Sequence, residues 1–333
     1  MELTPLREDN LRDLVCLPGG LELAGKSFLG DLPRVAEWHR ERLREGLRGA
    51  IAYASGTPRG FVEFMPAETA PLPIEAPGAC VLLCFHWAGT EPEDPTHLAE
   101  ERRMLEAAID SARREFTGIA ALGWNHPTHY PLALLTALGF REVTRDEPIA
   151  LVWLPFREGA PAPRLAPVRF LPRNLSREGR LAIDSAWSSR CPYSVSFAEC
   201  LRLAVAAQEQ GERISFVERC IDTRADAFEH AASPWDWGWA YLNGRPINPF
   251  ALPGDTLAAE IARHVPPITA QDSAARSRGV STAVRPRRSH TRGTPREDPD
   301  RQTRPGIPCR LEPLDMPRRR GRLSAERYRR PLR

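Results

Sequence analysis

Arg190-Cys191-Pro192-Tyr193-Ser194 holds the most reactive combination of residue types in the chain. An apolar run from Leu181 to Trp187 precedes it and a helical pattern from Val195 to Ala207 follows, so the spacing predicts a strand that turns through Cys-Pro into a helix. A sulfur in that place meets free backbone N–H groups and the positive end of the helix macrodipole, which favour thiolate over thiol. Cys191 is therefore expected to be reactive; a buried cysteine at a turn is the alternative. Trp124-Asn-His-Pro-Thr-His-Tyr130 is a second concentration of polar chemistry, a loop at the carboxyl end of an apolar run, where binding residues gather. His126 and His129, with Cys84 and His86, do not have a spacing that defines a ligand geometry, and no metal is expected. Cys84 and His86 alternate onto one face of their strand and Phe85 and Trp87 onto the other, which suits a core cysteine and a hydrogen-bonded histidine.

The elements that must position these groups fall into two sets. In the first, Leu32, Val35, Trp38, Leu43 and Leu47 recur at helical spacing between Gly30 and Gly46. Ala50 to Ala54, a turn at Gly56-Thr57-Pro58 and Gly60 to Met65 read as an antiparallel hairpin. Ala79 to Trp87 is an uninterrupted apolar run, suited to a central strand covered on both faces. A helix from Glu100 to Glu115 carries Met104, Leu105, Ala108, Ile109 and Ala112 on one side. Gly118 to Trp124 is a strand, Pro131 to Leu138 a helix, and Glu142-Val143 with Ile149 to Leu154 close the sheet. In the second set, the strand and helix around Cys191 precede a strand at Ile214 to Ile221 and a helix at Arg224 to Ala232. Trp237 to Leu242 then turns at Asn243-Gly244, a strong hairpin signal, into Arg245 to Ile247. The class is mixed α/β.

Hairpin, central strand, long helix, strand, short helix ending in Leu138-Gly139-Phe140 and a final strand pair resemble the GNAT acyltransferase fold over about residues 1 to 155. The second set resembles a thioredoxin-like domain, in which Cys-Pro-Tyr-Ser looks like the dithiol motif Cys-Pro-Tyr-Cys with Ser194 in place of the second cysteine. Ser194 therefore leaves no resolving thiol for intramolecular exchange. The pairing is similar to acetyltransferases with a YoaP-type C-terminal domain, on the cysteine at Cys16, the aromatic-bearing helix at Trp38, Gly60 to Glu63, and Ser233-Pro234 ahead of the hairpin. That resemblance implies boundaries at 1–156, a linker at 157–167, a thioredoxin-like domain at 168–265 and a tail at 266–333.

The resemblance also implies acetyl-CoA as donor, held along the central strand at Phe85 and Trp87 and at a glycine-containing turn that opens the long helix. Gapless placement of the turn puts Thr96, Ala99 and Glu101 at its marked positions, so the glycines are missing and a carboxylate faces the diphosphate. Arg102 and Arg103 either offset that charge or are solvated helix arginines. For the chemistry, it implies a carboxylate base on an inner strand and a tyrosine acid near the short helix. Glu63 fits the base, or is an outward polar residue on an alternating strand. Leu135 holds the usual tyrosine position, and Tyr130 is the nearest substitute. The thioredoxin-like resemblance makes Cys191, Pro192, Ser194 and a cis Pro234 the thiol site.

The chain has 333 residues, enough for two cores. Lys26 is the one lysine, and the seven cysteines are irregularly spaced, which suits a reducing compartment and a cytoplasmic location. No apolar stretch reaches membrane-spanning length. From Gln271 to Arg333, 18 arginines stand against 7 acidic residues, a local charge of +11, so residues 1 to 270 carry −8. That tail has too little apolar surface to fold and is expected to be disordered, with a weak attraction for nucleic acid at most. Two functions compete: acyl transfer to a small amine or thiol, with a homodimer formed through an apolar sheet edge, or a degenerate scaffold on which Cys191 does monothiol chemistry.

Overall fold

A computed structural model describes residues 1–17, 32–87, 95–124, 130–146, 149–167, 169–233, 239–247 and 254–267. Along the first half run β1 (Glu2–Pro5), α1 (Leu11–Cys16), α2 (Leu32–Arg44), β2 (Arg48–Ala54), β3 (Thr57–Pro66), β4 (Ile74–Glu75), β5 (Cys80–Trp87), α3 (Pro95–Ala112), β6 (Gly118–Trp124), α4 (Leu132–Ala137), β7 (Arg141–Asp146) and β8 (Ile149–Pro155). The second half follows with β9 (Arg164–Leu165), β10 (Leu181–Trp187), α5 (Pro192–Ala206), β11 (Ile214–Cys220), α6 (Arg224–His230), β12 (Trp239–Leu242), β13 (Arg245–Ile247) and α7 (Gly254–His264).

A seven-stranded mixed sheet has the order β1-β2-β3-β5-β6-β8-β7, and a four-stranded one has the order β11-β10-β12-β13. In the larger sheet every pairing is antiparallel except β5 with β6, so the fold class expected from the sequence is found. The buried face of α3 is the expected one, Met104, Leu105, Ala108, Ile109 and Ala112. Gly60 lets that helix close on the sheet, because a β-carbon there would lie 2.6 Å from the Trp87 ring and 2.8 Å from the Met104 sulfur.

β5 is central, but its ladder with β6 covers only Cys80↔Ile119 and Val81↔Ala120. Beyond Val81 the two parallel strands diverge. On the other side of β5 the register with β3 shifts between Glu63↔Cys84 and Phe64↔Leu82, so Leu83 is an extra residue in β5. Such a bulge bends the strand and frees a backbone group from the ladder.

Differences from the sequence expectation have physical causes. The β2–β3 hairpin turns at Ser55-Gly56, both with positive φ (51° and 77°), and not at Gly56-Thr57-Pro58. A two-residue primed turn needs left-handed backbone at both central positions, which proline cannot adopt. Asn243 and Gly244 meet the same requirement in the β12–β13 turn, with φ of 47° and 81°. The expected linker is strapped down: Leu165 and Arg164 pair with Ile74 and Glu75, and the Ala166 N–H bonds the Pro73 carbonyl. β7 is exposed along its length and carries Arg141, Glu142, Arg145 and Asp146, so that edge is charged rather than apolar. The tail from 268 on lies outside the described residues.

The smaller sheet has a core of its own around Leu181, Ile183, Phe197, Leu201 and Leu242, and Trp187, Val195 and Ala198 of β10 and α5 join the core of the larger sheet. Polar groups fix the junction. The Trp38 indole N–H donates to the Asp222 carbonyl at 3.1 Å, and Arg42 reaches the same oxygen at 3.3 Å. Arg34 lies 4.3 Å over the Trp187 ring and donates to Ser189 Oγ at 3.0 Å. Arg224 donates to the Ala67 and Ile74 carbonyls. Replacing Trp38 with Phe keeps the ring in the core but removes the indole N–H from the Asp222 carbonyl. The expected loss of stability is about 1–2 kcal/mol in urea unfolding, and an unchanged midpoint would contradict the junction.

Candidate functional site

Residues from both halves line a cavity of about 20 Å³ at the place where β5 and β6 separate. That is room for about one water molecule. Its apolar wall comes from Leu14, Val15, Val35 and Phe61, and its polar groups are His39, Glu63, Cys84, Tyr130, Arg190 and Cys191. Glu63, Tyr130 and Cys191, widely separated in sequence, are thus brought together. His39 and Arg190 had no functional assignment from sequence. A signal for His39 existed: it stands four residues after Val35 on the buried side of α2, a polar residue on an apolar face.

Glu63 does not point outward. β3 is covered on both faces from Gly60 to Met65, and Glu63 is 1% exposed. Its Oε2 lies 3.1 Å from His39 Nε2. His39 Nδ1 lies 2.8 Å from the Val35 carbonyl, which can only accept, so Nδ1 carries a hydrogen. Nε2 and the carboxylate must then share one proton, either as imidazolium with carboxylate or as neutral imidazole with carboxylic acid. Oε2 is engaged, which leaves Oε1 for the cavity.

Tyr130 stands at the end of a loop closed on itself, since the Trp124 N–H donates to the Tyr130 carbonyl at 2.8 Å. Its backbone is left-handed, with φ 47°, an uncommon state for a bulky residue. The phenol reaches back across the diverging strands and donates to the carbonyl of the bulged Leu83 at 2.9 Å. Its ring stands edge-on to Phe85 at 5.2 Å. Burial first, and the nearby Cys84 thiol second, push the Tyr130 phenol well above its ordinary pKa, so it stays protonated.

Cys191 caps α5 in extended conformation, with Pro192 at the first helical position. The expectation of a favoured thiolate is corrected. Burial pushes the Cys191 thiol up, outweighing the N–H groups of Ser194 and Tyr193 and the Arg190 charge, while Glu63 adds to the rise. The sulfur makes no capping hydrogen bond of normal geometry, so the helix end acts on it only weakly. Cys191 rests as a thiol and needs a base to become a nucleophile. The Ser194 hydroxyl accepts from the Ser188 N–H at 2.9 Å and so pins the loop beneath the sulfur. Asp222 tightens the same loop, accepting from the Ser189 N–H at 2.7 Å and from Ser188 Oγ at 3.1 Å. Pro192 lines the cavity, whereas Pro234 lies outside the described residues, as do His126 and His129.

The expected cofactor positions are placed differently. α3 begins at Pro95, so Thr96, Ala99 and Glu101 lie inside the helix and cannot form the turn that precedes it. Glu101 is buried in the second turn. Arg102 pairs with Glu106 at 2.8 Å and Arg103 with Glu100 at 3.3 Å, as solvated helix pairs do. The connection from β5 to α3 is 88–94, outside the described residues. Phe85 and Trp87 have buried side chains. What β5 offers a ligand is the backbone edge beyond Val81 that β6 leaves unpaired.

No protein-family model matches the chain, and no curated protein matches it. About half of it is similar to solved acetyltransferases at low identity. An aminoglycoside 6'-acetyltransferase type Ii is 11% identical with a TM-score of 0.36, covering 47% of this chain and 98% of that one. A GNAT family acetyltransferase from Brucella melitensis in complex with acetyl-CoA is 13% identical with a TM-score of 0.34, covering 50% and 94%. An acetyltransferase from Thermus thermophilus is 19% identical with a TM-score of 0.34, covering 46% and 96%.

Partly buried thiols with raised pKa make stability depend on pH in one direction. Desolvation pushes Cys84 and Cys191 up and Cys220 up to about 12 from 9.0. The unfolded chain therefore loses these protons first, and the stabilisation is intact below pH 9 and lost as pH rises through the folded values. Urea midpoints are expected to fall from pH 9 upward, and a flat profile to pH 11 would contradict the desolvation of these sulfurs.

Proposed function

We propose that the chain is an acyl-CoA-dependent acyltransferase of the GNAT class, acting on a small amine or thiol, with its second sheet as a thioredoxin-like module that closes the acceptor site. The observation that carries this reading is the convergence of Glu63, with His39 behind it, and Tyr130 on the gap between β5 and β6. A thioester arm fits that gap because the β5–β6 ladder stops after Val81, and the strand edge beyond it lies outside that ladder. Bound acyl-CoA supplies an activated acyl carbon.

This chain's own groups divide the proton work. Glu63 Oε1 takes the proton of the incoming nucleophile, directly or through the single water the cavity admits, while His39 holds Oε2 and fixes the carboxylate. Tyr130, kept neutral by burial, gives a proton to the departing thiolate. The apolar wall excludes other water. The β11-β10-β12-β13 order, with β10 and β11 parallel and β12 antiparallel to β10, supports the thioredoxin-like reading of the second sheet.

Isothermal titration with coenzyme A tests the reading: saturable binding is expected, and no binding at millimolar ligand would end it. In turnover with acetyl-CoA and a panel of small amines, Glu63→Gln is expected to lower kcat about 10²–10⁴-fold with KM for acetyl-CoA little changed. Tyr130→Phe should lower kcat by about 10-fold or more, with the largest effect at low thiol leaving-group acidity. Wild-type rates in both variants would remove the assigned roles.

A further inference from the structure

Two cysteines line the chamber, one from each half of the chain. Cys84 comes from β5 in the larger sheet and Cys191 from the residue that caps α5. No other cysteine among the described residues lines it. At about 20 Å³ the space holds about one water molecule, so the covalent chemistry that fits there leaves no added atoms behind. Burial first and the Glu63 charge second push the Cys84 thiol up, and charge on Cys191 adds to the rise, so the two sulfurs sense each other across that space.

Both sulfurs are carried on anchored backbone. Cys84 is fixed by its register with Glu63 in the β3–β5 ladder. On the other side, Ser194 Oγ accepts from the Ser188 N–H and Asp222 from the Ser189 N–H, which pins the loop that leads into Cys191. Trp38 and Arg42 hold the Asp222 carbonyl and Arg34 holds Ser189, so that loop is tied to α2 of the first half. A disulfide tolerates only a narrow range of positions at its two ends, which thiols on wandering segments seldom meet. Here each half brings one thiol to the same small space and holds it there.

We propose that Cys84 and Cys191 are a redox pair that a peroxide closes into a disulfide joining the two halves of the chain. The inference does not rest on the acyl-CoA reading. Burial opposes ionisation at both sulfurs; at Cys84 the Glu63 charge comes next, whereas at Cys191 the N–H groups of Ser194 and Tyr193 outweigh it, so Cys191 reacts first. Its sulfur attacks one peroxide oxygen, the O–O bond breaks, and the departing hydroxide takes the thiol proton, which leaves a sulfenic acid on Cys191 and one water. The chamber has room for that single oxygen. The Cys84 sulfur then bonds to the Cys191 sulfur, the S–O bond breaks, and hydroxide leaves with the Cys84 proton as a second water. The two thiols together lose two electrons and two protons, and the peroxide is reduced to two waters. A dithiol reductant restores both thiols by exchange. Neither residue is fully buried, which gives a small oxidant a way in.

The test treats the full chain with a small excess of hydrogen peroxide, blocks the remaining thiols by alkylation, and maps peptides covering all seven cysteines without reduction. The expected product links the Cys84 and Cys191 peptides, is about 10-fold or more as abundant as any other cysteine pair, and disappears on treatment with dithiothreitol. In concentrated urea the same oxidation should spread over several pairs, which separates the site from plain thiol reactivity. Thiols still alkylated at both positions after peroxide, or Cys191 linked preferentially to another cysteine, would overturn the inference. Cys84→Ser removes the second thiol and is expected to stop Cys191 at the sulfenic acid, trapped as a dimedone adduct. An unoxidised Cys191 in that variant would also overturn it. The linked chain is expected to unfold at higher urea than the reduced chain, because the bond restricts the unfolded chain between residues 84 and 191. An unchanged or lower midpoint would mean that the link forms outside the native fold, and the pair would fall with it.

Discussion

A carboxylate with 1% of its surface exposed, set among Val35, Phe61 and Val62, is the constraint around which the rest is arranged. An isolated buried charge would cost several kcal/mol, so Glu63 needs a partner that shares its proton, and His39 is that partner. His39 can serve only because its other nitrogen is committed to the Val35 carbonyl. The helix α2 that carries both residues therefore has to lie across β3 at a fixed height. Trp38 and Arg42, on the same side of α2, extend that requirement to the second half of the chain by holding the Asp222 carbonyl.

The separation of β5 from β6 follows a different logic. Two parallel strands that pair over only two residues leave the rest of the β5 edge outside their ladder, and the bulge at Leu83 adds a further carbonyl to account for. Tyr130 answers part of that need, at the expense of a left-handed backbone at a bulky residue. The strain and the unpaired edge lie at the same place, beside Glu63. A fold optimised for stability alone would zip the strands together; this one keeps them apart beside Glu63 and Tyr130.

Much of this was legible in the chain. Apolar periodicity located α3 and its buried face, the run at β5 marked a strand covered on both sides, and Asn243-Gly244 marked its hairpin. Glu63, Tyr130 and Cys191 could be chosen by residue type and position. Three things were missed. The start of α3 at Pro95 was marked by Asp94-Pro95, a capping residue type followed by proline at the first helical position, but the turn pattern was aligned from Met104 instead, and this displaced Thr96, Ala99 and Glu101 from the turn assigned to them. The reactivity of Cys191 was misjudged because a helix-end effect is local and readable, whereas desolvation by Leu14, Val15 and Phe61 comes from segments far away in sequence. His39 was passed over because one histidine in an amphipathic helix shows its partner only when the helix meets the sheet.

The central claim is that the Cys191 sulfur and the Glu63 carboxylate face each other across one small chamber built by both halves. The pH profile of alkylation at Cys191, followed on its own peptide in the wild type and in Glu63→Gln, tests it most directly. Burial first, and the Glu63 charge to a smaller extent, hold the Cys191 thiol up, so neutralising Glu63 should move the alkylation profile to lower pH. Superimposable profiles, or a shift to higher pH, would place the two groups in separate environments and contradict the account.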